Sequence, residues 1–330
     1  MKVAYAKLRF RNMTQIYIGE NVSLFMKSFY FFDWLIAFII HGASISNYFL
    51  YGFYKKRYNE KKEYITYRRL LKIQDICNKI IEDRQLCRDK IKFNNHFNNY
   101  LGRKWIDFNQ CTLEEFDHFV NSVNSFFVKD NNGSRGIGVS EYKTEETDIR
   151  QLYRRLTKDK DNHYILEEKI IQTSELSKFH PWSVNTIRIV SVYDDKNDIL
   201  YIMNARLRMG NKKNHADNFH FDGIVANIDI ETGVITSVGH DIYNNAYIYH
   251  PITGKQIVGF KIPYWTDCKK FVENVARDIP SVRYIGWDIV VQQDGCFLLI
   301  EGNDNADHDI QQLHNCGLWK QYKKIMKTLS

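Results

Sequence analysis

Residues Phe126–Ser140, FFVKDNNGSRGIGVS, decide how this chain is read. A strand of aromatic and β-branched residues ends in Lys129, a polar glycine-rich turn follows, and a second short strand completes the unit. Gly133, Gly136 and Gly138 let the backbone bend where a side chain would clash, and such a turn can aim N–H groups at an anion. Lys129 places a fixed positive charge at the mouth of the turn. An ordinary hairpin loop has the same composition, so the rest of the chain has to choose between the two.

Downstream, GWDIVVQQDGCFLLIEGN reads as two strands joined at Gln293-Asp294-Gly295. Side chains alternate along a strand, so Glu301 and Asn303 share a face and Asp288 falls opposite them. Two carboxylates and an amide oxygen form a hard-oxygen set suited to Mg²⁺, since carboxylates buried together without a cation resist ionising. A solvent-facing acidic hairpin is the alternative. The apolar neighbours Trp287, Ile289 and Ile300 favour a cleft.

A lysine-bearing glycine loop followed far downstream by strands ending D…E-x-N resembles the ATP-grasp carboxylate–amine ligases. Asp89-Lys90 resembles the family's first phosphate lysine, and LEEKIIQTSEL at 166–176 its adenine hinge. From about Ser183 the segments VNTIRIVSVY, ARLRMGNKKNHADNFHFDGIVANIDIETG, HPITG, GFKIP, YIGWDIVV and LLIEGN are similar to the sugar-transfer-associated branch, linked with bacterial surface polysaccharides. The resemblance covers nearly all of residues 86–320 and only weakly what precedes them.

That resemblance implies roles. Lys90, Lys129, Gly133, Ser134, Arg135, Gly136 and Gly138 would hold the ATP phosphates. Glu168 and the backbone of Lys169 and Ile171 would contact adenine, and Glu175 the ribose. Asp288, Glu301 and Asn303 would bind Mg²⁺. The branch pattern is matched at Asp217, Asn218 and Gly223, on a loop that could close over substrate. The family often has an arginine shortly before the first metal carboxylate; here only Arg283 precedes Tyr284–Trp287, so the phosphate-stabilising group is sought upstream in Arg188, Arg206 and Arg208. Arg188 lies on a strand among Ile and Val, and a buried guanidinium needs an anion, either phosphate or a protein carboxylate. His215, His220, His250 and His308 read as surface or hydrogen-bonded loop histidines.

The implied activity is ligation through an acyl phosphate: a carboxylate attacks the γ-phosphate of ATP and an amine displaces phosphate. Its substrates would be a carboxylate-bearing sugar or glycan and an amine co-substrate, an amino acid or amino sugar. Glycosyltransferases of the same assembly are the partners it suggests. A phosphotransferase on this scaffold, or a nucleotide-binding scaffold without chemistry, are the alternatives.

Composition fits a globular chain: 44% of the 330 residues are hydrophobic and 26% charged. Six cysteines without paired spacing suggest reduced thiols and a cytoplasmic protein. Fifteen Lys and Arg against six Asp and Glu between Lys55 and Lys104 imply an anionic partner or a solvated basic face. Net charge alone gives no reason to expect nucleic acid.

The pattern predicts an α+β fold in three parts: a helical region over 1–85, a small lobe over 86–180 with the phosphate loop, and a large lobe over 181–330 with the metal site. Tyr64, Tyr67, Leu71 and residues 76–80 supply an apolar stripe in the first part. Thr112 and Glu115 form a capping box, a helix covers 144–161, and one helix closes the chain. Phe29–Ile40, FYFFDWLIAFII, is short for a bilayer span and reads as a buried or partner-facing helix. Shallow attachment to a membrane surface stays open and is not the expectation.

Overall fold

The computed structural model describes residues 2–131, 133, 138–212, 217–313 and 317–329. Among the described residues up to 85, every regular element is helical: α1 (Lys2–Tyr17), α2 (Leu24–His41), α3 (Ile45–Leu50), α4 (Tyr58–Lys61), α5 (Tyr67–Cys77) and α6 (Ile81–Arg84), with 3₁₀ turns at Phe53–Lys55 and, starting at its end, Gln85–Cys87. They do not form one bundle. α1–α3 close an aromatic cluster around Phe10, Tyr48, Phe49 and Tyr51. α5 instead packs with the C-terminal helix under Val190, Val192 and Tyr284.

The buried stripe of α5 is Leu70, Ile73, Gln74 and Cys77. Tyr64 and the half-buried Ile76 turn inward as expected, but Tyr67, Leu71 and Ile80 face solvent. The expected stripe is therefore one position out of phase. Leu70 and Leu71 are adjacent, and the sheet above selects the one that aligns with Ile73.

Residues 90–168 build a four-stranded antiparallel sheet. α7 (Lys90–His96), capped by Asp89, and α8 (Asn98–Leu101) lead into β1 (Trp105–Asp107), β2 (Ser125–Asp130), β3 (Val139–Lys143) and β4 (Tyr164–Glu168), in the order β1-β4-β2-β3. α9 (Leu113–Asn121) opens on the predicted Thr112–Glu115 capping box. α10 (Ile149–Lys158) is shorter than expected because Asp148 caps it at Gln151 N–H. Phe116, Phe119, Leu152 and Leu156 on these helices bury Phe126, Val128 and Leu166. By strand alternation Phe127, Lys129 and Glu167 turn to the other face.

After α11 (Ser174–Ser177) the chain forms a seven-stranded antiparallel sheet from β5 (Ile187–Asp194), β6 (Ile199–Met209), β7 (Ile224–Asn227), β8 (Gly239–His240), β9 (Ala246–Tyr247), β10 (Tyr284–Val291) and β11 (Phe297–Asn303). The order is β11-β10-β5-β6-β7-β8-β9. α12 (Trp265–Arg277) packs Cys268, Val272 and Val275 against Ile187, Ile189, Leu207 and Trp287. The opposite face is apolar where α5 lies and polar where Arg188, Arg208 and Asp288 project. The expected single C-terminal helix is two, α13 (His308–Gln311) and α14 (Trp319–Leu329). Between them Gly317 lies so close to Glu63 that an added Cβ would come within 2.6 Å of its carbonyl oxygen.

Candidate active site

The glycine-rich turn is held by the motif 40 residues upstream. Lys90 Nζ donates to the carbonyls of Asp130 (2.9 Å), Asn131 (2.8 Å) and Gly133. Asp89 accepts from Asn131 Nδ2 at 3.1 Å while capping Ile91 and Lys92 N–H. Both residues of the Asp-Lys pair thus dock on the loop. Gly138 adopts φ +75°, where an L side chain is strained. Ser134, Arg135 and Gly136 lie outside the described residues. Burial lowers the pKa of the Lys90 amine, opposed by Glu301 from the other sheet.

Lys129 is not the free charge expected. Its Nζ pairs with Glu167, which also accepts from Arg103 at 2.6 Å and Asn94 at 2.8 Å. Burial would raise the Glu167 pKa, but Arg103 and Lys129 hold the carboxyl far below the usual carboxylate range. Arg103 also donates to the Leu299 carbonyl at 2.7 Å, tying the small sheet to β11. The sequence pattern does not single out Arg103, Glu167 or Asn94, since Glu167 and its neighbour Glu168 are equivalent until the face of β4 is known.

On the large sheet the hairpin register is as predicted, with Asp288 opposite Glu301 and Gly286 opposite Asn303. Asp288 is buried between two guanidiniums. Arg188 grips both its oxygens, through Nε and through Nη2 at 2.7 Å. Arg208 Nη1 donates to Oδ2 at 2.9 Å, and its Nη2 to Asp217 at 2.9 Å. Burial opposes ionisation of Asp288, yet the two arginines keep its pKa well below normal. Arg188 is thus paired with a protein carboxylate.

Glu301 behaves oppositely. Its side chain is 49% exposed, yet surrounding protein desolvates it and Asp288 repels it, raising its pKa. Asn303 Nδ2 donates to Glu301 Oε1 at 3.0 Å, so the bond uses the amide nitrogen and not its oxygen. The donor atoms these residues offer a cation are all oxygens. Each carboxylate oxygen has two lone pairs, so Asp288 Oδ1 retains coordinating capacity. The set fits a hard cation such as Mg²⁺.

Other predicted residues have different surroundings. Arg206 leaves the cluster: it donates to the Ile310 (2.9 Å) and Gln311 (2.6 Å) carbonyls and holds α13. Asp217 accepts from Thr186 N–H at 3.0 Å and Asn218 caps the following 3₁₀ turn, docking that loop onto Arg208. Gly223 is needed there, since a Cβ would lie 2.3 Å from Asp217 O. Glu168 accepts from Lys104 N–H at 3.0 Å. The Lys169 amide donates to Ser125 O at 2.9 Å, so it is already engaged, and Ile171 is exposed. This connection then joins the large sheet through Thr173 N–H to Val291 O. Glu175 pairs on the surface with Lys178 at 2.6 Å. His220, His250 and His308 are hydrogen-bonded to Asp307, Gly210 and Asn47; His215 lies outside the described residues.

Two antiparallel sheets, one carrying Lys129 and docked on by Lys90, the other carrying the Asp288–Glu301 hairpin, make up this architecture. Residues 53–327 match the family described as sugar-transfer associated ATP-grasp, and the chain belongs to it. The match begins earlier than the resemblance read from sequence, in keeping with α5 packing under the large sheet. Solved structures resemble it at low identity. The ATP-grasp ligase PsnB complexed with a minimal precursor is 12% identical (TM-score 0.47, 76% of this chain and 64% of that one). D-alanyl-alanine synthetase A from Vibrio cholerae O1 is 12% identical (0.44, 75% and 66%). Biotin carboxylase from Campylobacter jejuni is 13% identical (0.49, 77% and 51%). The chain thus spans less than two thirds of each of these proteins. No curated protein matches it.

Proposed function

We propose that this chain is an ATP- and Mg²⁺-dependent carboxylate–amine ligase. It would amidate a sugar acid or glycan carboxylate with an amino acid or amino sugar during surface polysaccharide assembly, in the cytoplasm and beside glycosyltransferases. One observation carries the reading: Lys90, fixed to the glycine loop, feels the charge of Glu301 on the other sheet, where Asn303 donates to Glu301 and Arg188 and Arg208 hold Asp288. Lys90 and Lys129 at the small sheet suit a triphosphate. Oxygen donors on the other suit its cation.

Glu301, Asn303 and Oδ1 of Asp288 would hold Mg²⁺, which when bound neutralises charge on the phosphates. Lys90 and Lys129 would position the triphosphate, Lys129 by exchanging Glu167 for a phosphate oxygen. Arg188 and Arg208, pre-aimed by Asp288 and Asp217, would orient the substrate carboxylate and stabilise charge on the transferring phosphoryl group. The carboxylate oxygen bonds to the γ-phosphorus as ADP leaves. The amine then adds to the acyl carbon, loses a proton, and expels phosphate. No side-chain nucleophile is needed.

The test is a screen of uronic acids against amino acids and amino sugars, followed by phosphate release and product mass. ADP and free phosphate formed only when both substrates are present support the ligase. A stable phosphorylated product without amine makes it a kinase instead. Glu301→Ala should lower turnover by about 10²–10³-fold; wild-type rates in that variant would refute the metal assignment.

A further inference from the structure

We propose that α2 is a membrane-surface anchor that lies in the plane of an anionic bilayer, at the boundary between headgroups and acyl chains. The sequence pattern leaves two expectations for this segment, a covered helix or a shallow membrane attachment, and the structure separates them. Only 11% of the helix is buried. Phe25, Phe29, Phe32, Ile36 and Ile39 recur at i, i+4, i+7, i+11 and i+14, which is one face of a helix, and each is 54–77% exposed. A helix facing water carries charge on this side. Here a continuous aromatic and aliphatic stripe faces outward, bordered by exposed Leu24 and Ile40.

The inner face is already used. Trp34 packs on Phe10, Tyr30 on Tyr54, and Ala37 is buried. Asp33, the acidic residue of the stretch, turns inward, where Lys61 neutralises it at 2.6 Å and Tyr48 donates to it at 2.8 Å. With an ion pair and an aromatic cluster fixing this side to the domain, α2 lies flat rather than crossing. Interfacial helices have this geometry.

Charge selects lipid over a second copy of the chain. Residues 1–85 carry fifteen Lys and Arg against seven Asp and Glu, while the remainder of the chain is close to neutral. At the C-terminal end of α2, Arg68 donates to the Phe38 and Ile39 carbonyls, and the ring of exposed Tyr58 packs on His41. Arg57 and Tyr67 beside them are also exposed. Tyrosine and arginine rims suit the headgroup layer, and each basic group near an anionic surface adds about 1 kcal/mol. Two copies meeting through α2 would bring these like charges together; phosphatidylglycerol or another anionic lipid complements them.

The experiment is flotation of the full chain with vesicles of phosphatidylglycerol and phosphatidylcholine, against phosphatidylcholine alone. Binding should be at least about tenfold stronger on the anionic vesicles and should weaken in about 0.5 M salt. The triple variant Phe29→Ser, Phe32→Ser, Ile36→Ser should lose it while keeping the wild-type melting curve and ADP binding. Phe32→Asp alone, at one exposed position, gives the same reading should the triple variant unfold. Equal binding to both vesicle types, or none to either, overturns the proposal. So does a dimer in sedimentation equilibrium that the same substitutions disperse without any vesicle binding. ADP binding and turnover are read separately, so failure here leaves the ligase reading intact.

Discussion

Two buried carboxylates, Glu167 on the small sheet and Asp288 on the large one, are each gripped by two cations, yet the clusters differ in what surrounds them. Around Glu167 the network is closed: Arg103, Lys129 and Asn94 point at it, and Arg103 continues to a β11 carbonyl. Around Asp288 it is open. Arg188 and Arg208 meet the carboxylate, but Glu301 stands 3.7 Å from Arg188 with half its side chain exposed and its pKa raised. The first cluster ties the two sheets together through Arg103; the second leaves Glu301 half exposed beside it.

The largest effect should come from Asp288→Ala. Two guanidiniums would remain buried without their shared anion, which costs about 3–5 kcal/mol. A urea midpoint unchanged from wild type would mean that water or another carboxylate already satisfies them. Next is Glu167→Gln, expected to cost about 3 kcal/mol because Arg103 and Lys129 lose their common partner. The pH dependence checks it. The folded pKa of Glu167 is depressed, so its contribution is complete above the unfolded value of about 4.3 and is lost as pH falls through the folded value. Wild type should therefore lose stability into strong acid more steeply than Glu167→Gln. Parallel acid-denaturation curves would show that Glu167 is not held ionised.

A steric probe follows. An added Cβ at Gly286 would sit 2.8 Å from Ala306 Cβ and 3.3 Å from Arg188 Cδ. Gly286→Ala should destabilise by about 1–3 kcal/mol through overpacking and displace Arg188 from Asp288. If it instead left both stability and turnover unchanged, the Arg188 position would not be a geometric requirement.

The site was partly legible because its parts repeat simple rules. Strand alternation and the Asp294-Gly295 turn place Asp288 opposite Glu301, and a buried Arg188 demands an anion. Glu167 was not legible. It and Glu168 are adjacent, and only the side of β4 that α9 and α10 cover decides which enters the cleft. The phase of α5 was ambiguous for the same reason, with Leu70 and Leu71 both able to face inward. α2 fails differently: a helix apolar on all sides reads the same whether protein or something outside the chain covers it. Local pattern fixes what a residue can do, and tertiary packing chooses between neighbours.

The smallest change in stability separates the two clusters most sharply. Glu301→Gln removes a charge that the fold disfavours, opposite in sign to Glu167→Gln. A carboxyl whose folded pKa is raised loses stability as pH climbs from its unfolded value through the folded one, so the uncharged amide should be neutral or slightly stabilising at pH 7. Exposure screens the effect, keeping it below about 1 kcal/mol. Mg²⁺ should then reverse the order. By binding the ionised Glu301 with Asn303, it should raise the wild-type melting temperature and leave Glu301→Gln nearly unmoved, since a ligand stabilises only the state it binds. Equal shifts in both proteins would remove Glu301 from the metal site. A destabilised variant without metal would show that Glu301 belongs with Glu167, as a closed structural charge.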